Sequence, residues 1–310
     1  MRRFDVTIAG ELNLDLILYG TPDEIPRERE LLVSDLNVTL GSSSAIVAHN
    51  LASLGSRVGF VSCIGDDQFG ELALARLAAA GADVSKVAIL PGRKTGLTVI
   101  MQRDSWRNML TYAGTIFDLQ MKNIDLEYLS SAKHFHLSSY YLQRGLQADV
   151  PELFKKLKSA GLTISFDCND DPDDGWDGGI REALKYVDVL LPNAREAMRL
   201  TGAVNAHAAA EQLARVVPLV AIKLGAEGAI ARKGNERWAS PALKVEAVDP
   251  VGAGDSFDAG FLHEYLRGSG IESCLAAGNR AGALSVTRAG GTEAFRDAVH
   301  REQFLREHAG

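Results

Sequence analysis

The sequence is most informative at Asp249-Pro-Val-Gly-Ala-Gly-Asp255-Ser-Phe257, a glycine-rich turn that runs into a series of regularly spaced apolar residues. Apolar side chains recur at positions 257, 261, 262, 265 and 266, a spacing that predicts an amphipathic helix beginning near Gly254. The first N–H groups of a helix lack intrahelical acceptors, and small residues let a ligand approach them. The turn therefore predicts an anion site at residues 252–254.

Asp255 lies inside this predicted anion site, where a carboxylate would repel an anionic ligand. A general base that takes a proton from an attacking hydroxyl would explain the carboxylate, and a residue that only caps the first helical turn is the alternative.

Two other phosphate motifs are excluded. Phe257 stands where a dinucleotide fingerprint needs its third glycine, and the chain has no Gly-Lys dipeptide for a Walker A loop.

The same motif resembles the C-terminal signature of the PfkB, or ribokinase-like, family of carbohydrate kinases. The resemblance implies ATP-dependent phosphorylation of a hydroxyl of a sugar or sugar-like alcohol. It implies that Gly252, Ala253 and Gly254 form the anion hole for the transferred phosphoryl group and that Asp255 is the base. It also implies the fold class, an α/β, doubly wound, mostly parallel sheet flanked by helices with a small β-sheet lid, as one domain over residues 1–310.

Length and composition agree with a globular chain. The 310 residues are 46% hydrophobic and carry a formal charge of −7, and no apolar run is long enough for a membrane span. Cys63, Cys168 and Cys274 are few, odd in number and far apart, which predicts reduced thiols. We therefore expect a cytoplasmic protein with no nucleic-acid or membrane partner.

Two stretches predict a sugar pocket. Asn13 and Asp15 alternate with leucines, so both project from one strand face about 6–7 Å apart and suit adjacent hydroxyls, although a solvated strand face has the same pattern. Their Gly-Glu-Leu-Asn-Leu-Asp context resembles the sugar-binding N-terminal pattern of the family. The second stretch, which begins at Gly41, resembles a helix start that touches the sugar in the family. Ser42 replaces a glycine of that pattern, and Ile46 replaces an asparagine.

Residues 16–40 and 93–116 are β-like, with a turn predicted at 103–108. The resemblance implies that these segments form a lid over the sugar and that the lid often doubles as a dimer interface. We therefore expect a homodimer that assembles through the lid. Elsewhere, predicted strands at 162–166, 187–191, 219–224 and 245–248 alternate with helices, which indicates a parallel sheet.

The nucleotide side is predicted from several short motifs. Asn193 and Glu196 match a capping box, and the resemblance implies that they organise Mg²⁺, held by Glu196 through water, and the ATP phosphates. The resemblance also implies nucleotide residues in a strand-end loop, which could equally be a hairpin: Lys223, Gly225 and Gly228. It adds Asn279 in a helix of small residues. Residues 287–291 match a loop that holds a monovalent cation such as K⁺ in several members of the family. The resemblance implies that Gly291 of this loop binds the cation together with Asp249 and the carbonyl of Val251.

Several alternatives remain open at this point. Ile46 makes the pocket more apolar than usual, which suits a nucleoside kinase of the same fold. Arg103 and Arg107 on the predicted lid suit a phosphosugar kinase. A third alternative is a sugar-binding regulator that lost catalysis, and the intact Asp255 argues against it. A fourth is a nicotinamide dehydrogenase, and the missing dinucleotide fingerprint argues against that.

Overall fold

The fold is that of a computed structural model, which describes residues 2–103 and 107–308. In this part of the chain the strands are β1 (Phe4–Ala9), β2 (Leu14–Tyr19), β3 (Asp35–Leu40), β4 (Val58–Gly65), β5 (Asp83–Leu90), β6 (Leu97–Gln102), β7 (Arg107–Tyr112), β8 (Ala132–Leu137), β9 (Thr163–Phe166), β10 (Val189–Leu190), β11 (Leu219–Lys223), β12 (Ala229–Lys233) and β13 (Glu236–Ser240). Residues 104–106, in the turn predicted at 103–108, lie outside the described residues.

The helices of the same residues are α1 (Ser43–Ser53), α2 (Gln68–Ala79), α3 (Leu126–Ser130), α4 (Val150–Ser159), α5 (Ile180–Leu184), α6 (Ala194–Thr201), α7 (Ala206–Leu213), α8 (Ala253–Leu266), α9 (Ile271–Ser285), α10 (Glu293–Arg296) and α11 (Ala298–Glu307). None of these described helices has both the length and the apolar character that a bilayer crossing requires.

The larger sheet has the strand order β13-β12-β11-β10-β9-β8-β1-β4-β5. Strands β11 to β5 in this order are parallel, and β12 and β13 add an antiparallel edge. Parallel strands are covered on both faces, and β4 is buried at every position. Two apolar clusters, one with Phe135 and Phe166 and one with Phe60 and Phe261, hold the helices against the sheet. The predicted doubly wound, mostly parallel sheet is confirmed.

A smaller sheet has the order β3-β2-β6-β7, and only its β2–β6 pair is parallel. Its strands arise from the two segments predicted to be β-like, except that β2 begins at Leu14. Ile17 and Ile100 of this sheet pack against Val251, so the sheet rests on the glycine-rich turn before α8. Whether it serves as a lid stays a prediction.

Helix α8 begins at Ala253, one residue from the predicted start. It packs closely on α9 because both helices have glycines at the contact. A Cβ on Gly260 would lie 2.4 Å from the carbonyl oxygen of Ala277, and one on Gly278 would lie 2.7 Å from the ring of Phe257. This close packing fixes where the first turn of α8 points.

Two predictions of local structure are wrong. Residues 245–248 form no strand, because the N–H of Val248 donates to the carbonyl of Val286 at the end of α9 (2.7 Å). In the second case, the sequence predicts a buried helix stripe of Phe69, Leu72, Ala73, Leu77 and Ala80, but Phe69 and Leu72 are 44% and 38% exposed. The buried stripe of α2 follows positions 70, 73 and 77, and positions 69 and 72 lie about 100° from it around the helix axis.

Candidate active site

The first turn of α8 follows directly on Val251, against which the small sheet packs. Gly252 adopts φ 73°, a left-handed conformation that disfavours other residues, and a Cβ there would lie 2.5 Å from Cα of Gly291. The half-buried residues 252–254 therefore form a turn without bulky side chains, where the positive end of the helix dipole can meet an anion. The predicted anion hole lies at a helix N-terminus, as expected.

Asp255 follows directly and lies among other charged groups. Burial raises its pKa to about 6, an effect that nearby Lys223 opposes and nearby Asp167 adds to. The nearby hydroxyl of Ser43, at the start of α1, acts to lower the pKa of Asp255. A base with a pKa near the working pH is effective in proton transfer.

Asn13 and Asp15 are buried where β2 begins, close to Asp255. Burial raises the pKa of Asp15 to about 7, and the negative charges of Asp255 and Asp249 add to this effect. Gly41 leaves room for both side chains. A Cβ on Gly41 would lie 2.2 Å from Oδ1 of Asp15 and 2.9 Å from Nδ2 of Asn13. The structure therefore brings these three predicted substrate residues together next to the predicted base.

Ser42 and Ile46, the other predicted substrate residues, have clear packing roles. Ser42 adopts φ 69° and caps α1, since its Oγ accepts from the N–H of Ala45 (3.2 Å). Ile46 is 3% exposed, and its Cδ1 contacts the backbone of Gly252 and Gly291. Ile46 thus supports the turn at the anion hole.

Lys223 lies in a buried network of ion pairs beneath α8. Its Nζ is 2.6 Å from Oδ2 of Asp167 and 3.1 Å from Oδ1 of Asp258. Burial would lower the pKa of Lys223, but the two carboxylates raise it well above its usual range. Because Asp167 follows β9, Lys223 ends β11 and Asp258 belongs to α8, the network joins α8 to the sheet. A role in nucleotide binding stays a prediction.

Asn193 and Glu196 form the predicted capping box at the start of α6. The N–H of Glu196 donates to Oδ1 of Asn193 (2.9 Å), and the N–H of Asn193 donates to Oε2 of Glu196 (2.8 Å). Burial raises the pKa of Glu196 to about 8, with the charge of Asp167 adding to the shift. Ligand atoms of Asp167, Cys168 and Glu196 lie within 4.8 Å of one another.

This region carries more negative than positive charge. The carboxylates of Asp167, Glu196, Asp255 and Asp258 surround the single ammonium of Lys223. Buried carboxylates are costly unless they are paired or coordinate a metal. Oxygen-rich sites of this kind suit Mg²⁺, so the residues present fit the predicted ion.

The other predicted nucleotide residues meet at the end of β13. Gly225 and Gly228 adopt positive φ in the turn after β11, and a Cβ on Gly228 would lie 2.1 Å from the carbonyl oxygen of Ser240. Nδ2 of Asn279 donates to the carbonyls of Ser240 (2.9 Å) and Pro241 (3.1 Å). These contacts hold the β11–β12 turn, α9 and the 240–241 segment together.

Asp249, Val251 and Gly291, the predicted monovalent-cation ligands, also lie together. Oδ1 of Asp249 accepts from the N–H of Val251 (2.9 Å), and Oδ2 accepts from the N–H of Gly290 (3.0 Å) and the hydroxyl of Tyr19 (3.2 Å). The neighbouring carbonyl of Gly291 accepts from Nδ2 of Asn50 (3.0 Å). Protein donors therefore already engage the Asp249 carboxylate and the Gly291 carbonyl.

Comparison with known proteins decides the family. A sequence model described as pfkB family carbohydrate kinase matches residues 3–298. The chain belongs to this family. It is an ATP-dependent carbohydrate kinase, as predicted from the motif at residues 249–257.

Individual relatives of this pfkB kinase differ in acceptor. It is 32% identical over 291 residues to the ATP-dependent ribose-1-phosphate kinase of Halopiger xanaduensis, covering 93% of this chain and 94% of that protein. It is 31% identical over 281 residues to the cytidine kinase of Thermococcus kodakarensis, covering 88% and 93%. A crystal structure of a candidate ribokinase II from E. coli, in complex with ATP and Mg²⁺, has a TM-score of 0.86 at 26% identity, covering 98% and 100%.

Two residues that matter in this pfkB kinase were missed from the sequence. Asp258 lies three positions after Asp255 between apolar residues of α8, and a charge on a buried helix face is a signal for a buried partner. Tyr19 reads as an ordinary strand residue, and nothing local in the sequence points to its contact with Asp249.

Proposed function

We propose that this kinase phosphorylates a sugar or sugar-like alcohol held by Asn13 and Asp15, with Asp255 as the general base. One observation supports this most strongly: Asp255 lies at the N-terminus of α8 close to Asp15, and its pKa is about 6. A hydroxyl bound at Asp15 would thus lie between a proton acceptor and an anion site.

In the proposed reaction Asp255 accepts the proton of the acceptor hydroxyl. The hydroxyl oxygen forms a bond to the γ-phosphorus while the bond from that phosphorus to the β–γ bridging oxygen breaks, and ADP leaves with the bridging oxygen. In this proposal residues 252–254, at the positive end of the α8 dipole, stabilise the negative charge of the transferred group. The products are a phosphorylated sugar, ADP and the proton on Asp255.

Glu196 and Asn193 would hold Mg²⁺, Glu196 through water, next to the turn of Gly225 and Gly228 that would lie beside ATP. The excess of carboxylates around Lys223 supports a divalent cation here. When bound, the ion neutralises phosphate charge. Glu196 is oriented for this by its capping box with Asn193.

The test is Mg-ATP-dependent ADP release across pentoses, hexoses, keto-sugar acids, nucleosides and phosphosugars. Asp255→Asn should fold normally and lose about 10²-fold or more in kcat. Asp23→Asn, at an exposed position, is the matched control and should keep the wild-type rate. Wild-type turnover by the Asp255 variant would overturn the role of base.

A phosphosugar acceptor is the second candidate. Register places Arg107 opposite Gln102, on the same face of the small sheet as Asp15, and its positive charge acts to lower the pKa of Asp15. Arg103 is instead held by the carbonyl of Pro22 and by Asn108. If the acceptor carries a phosphate, Arg107→Gln should raise its KM without changing the KM for ATP. An unchanged acceptor KM would exclude this use of Arg107.

We also propose that the kinase forms a homodimer through the outer face of the small sheet. Leu36, Leu110 and Tyr112 share this face and are 58%, 60% and 57% exposed. An apolar patch is self-complementary, as a two-fold interface requires. Leu110→Glu should convert a dimer into a monomer in sedimentation experiments, whereas Val204→Glu, at a position 90% exposed elsewhere, should not. A wild-type monomer would refute the proposal.

A cytoplasmic location stays a prediction.

A further inference from the structure

The loops on either side of α8 and α9 are held together by hydrogen bonds to buried oxygens. Asp249 is completely buried, and its carboxylate accepts three donors, the N–H groups of Val251 and Gly290 and the hydroxyl of Tyr19. These bonds connect the turn before the anion hole to the loop after α9 and to the small sheet. The carboxylate thus has hydrogen-bond partners in the protein itself.

The carbonyl oxygens beside Asp249 are engaged in the same way. The carbonyl of Gly291 accepts from Nδ2 of Asn50 (3.0 Å) and Oγ of Ser256 (3.4 Å), which uses both of its lone pairs. The carbonyl of Ala289 accepts from Nδ2 of Asn37 (3.0 Å). A cation that binds the Gly291 carbonyl would have to displace one of these protein donors, so this predicted ligand does not fit a monovalent cation.

We propose that side-chain donors, chiefly Tyr19 and Asn50, take the place of a monovalent cation at these loops, so that the kinase is independent of K⁺. Tyr19 comes from the small sheet and Asn50 from α1, and both elements also carry residues of the predicted sugar pocket. The inference rests on the proposed function only for its turnover measurement.

Tyr19 would then be a positioning residue that acts through the loop. It lies on β2 four residues after Asp15, so one strand carries both a predicted sugar ligand and the hydroxyl that holds Asp249. Ile17, between them, packs on Val251 next to the anion hole. Displacement of β2 would therefore disturb the sugar site and the anion hole together.

The first experiment compares wild-type protein in K⁺, Na⁺ and tetramethylammonium chloride at equal ionic strength. The melting temperature, the Kd for a non-hydrolysable ATP analogue and kcat should all be the same in the three salts. A cation site filled at about 100 times its Kd would instead raise the melting temperature by roughly 5 °C. A rise of that size in K⁺ alone, or a tenfold K⁺ activation, would overturn the inference. The melting and binding measurements need no acceptor, so they stay informative if the proposed function fails.

The second experiment removes one hydroxyl. Tyr19→Phe keeps the ring and frees one lone pair of Asp249. We expect kcat to fall about tenfold, the value of one misplaced stabilising contact, while the Kd for the ATP analogue stays unchanged. Tyr186→Phe, in the turn after α5, is the matched control. Wild-type kcat in the Tyr19 variant would overturn its positioning role, and so would a loss of kcat that only accompanies weaker binding of the ATP analogue.

Discussion

The buried ion-pair network under α8 makes a strong prediction about stability. Lys223→Met removes the only ammonium within 3.2 Å of the carboxylates of Asp167 and Asp258 among the described residues. Removing one partner of a buried ion pair leaves an uncompensated charge and costs about 3–5 kcal/mol. We expect the free energy of unfolding to fall by that amount at pH 7.5. Lys133→Met, at a surface lysine that is 54% exposed and paired with Asp5, should cost about 0–1 kcal/mol.

The loss should shrink on acidification. Burial already raises the pKa of Asp258, and losing Lys223 raises it further, so the folded variant takes up a proton that the unfolded chain does not. An acid with a raised folded-state pKa stabilises the protein at low pH, by about 1.4 kcal/mol per unit below that pKa. Urea titrations at pH 7.5 and 5.5, followed by tryptophan fluorescence, measure both values. A loss below about 1 kcal/mol at pH 7.5, or an equal loss at both pH values, would refute this account of the network.

Three further predictions concern the site and the core. With a pKa of about 6 for Asp255, kcat/KM should fall tenfold per unit below about pH 6, and a flat profile from pH 5 to 8 would contradict the role of base. Gly41→Ala would place a Cβ 2.2 Å from Oδ1 of Asp15, so the acceptor KM should rise while the ATP KM stays constant in initial-rate measurements. Burial lowers the pKa of His134 to about 3 in the folded protein. As the pH falls below about 6.5, His134 is therefore protonated in the unfolded chain but not in the folded one. His134→Gln should therefore reduce the loss of unfolding free energy on acidification by about 1.4 kcal/mol per pH unit, and an unchanged slope would contradict this.

The parts of the fold that the sequence predicted correctly depend on local rules. The start of α8 follows from small residues before an apolar helical repeat, and the capping box of Asn193 and Glu196 spans only four residues. Such signals survive in any tertiary context. Residues 245–248 show the opposite case. Their apolar alternation predicts a strand, but strand formation needs a partner, and Val248 bonds to the end of α9 instead.

The contacts that complete the site join residues far apart in the chain. Lys223 is 56 residues from Asp167 and 35 from Asp258, and Tyr19 is 230 residues from Asp249. No periodicity or spacing connects such pairs, because their proximity follows from the order of strands in the sheet. The resemblance to the family pointed to the turn at residues 249–257, but it gave no partner for these side chains.

Asp255 and Asp258 show how position along one helix separates two roles of the same residue type. Asp255 is half-buried at the start of α8, where burial raises its pKa to about 6, and it is the proposed base. Asp258 lies one turn further, is completely buried, and pairs with Lys223 at the end of β11. The positive charge of Lys223 also opposes the rise in the pKa of Asp255. The ammonium that pairs with Asp258 of this helix therefore also helps to keep Asp255, the proposed base, ionised at neutral pH.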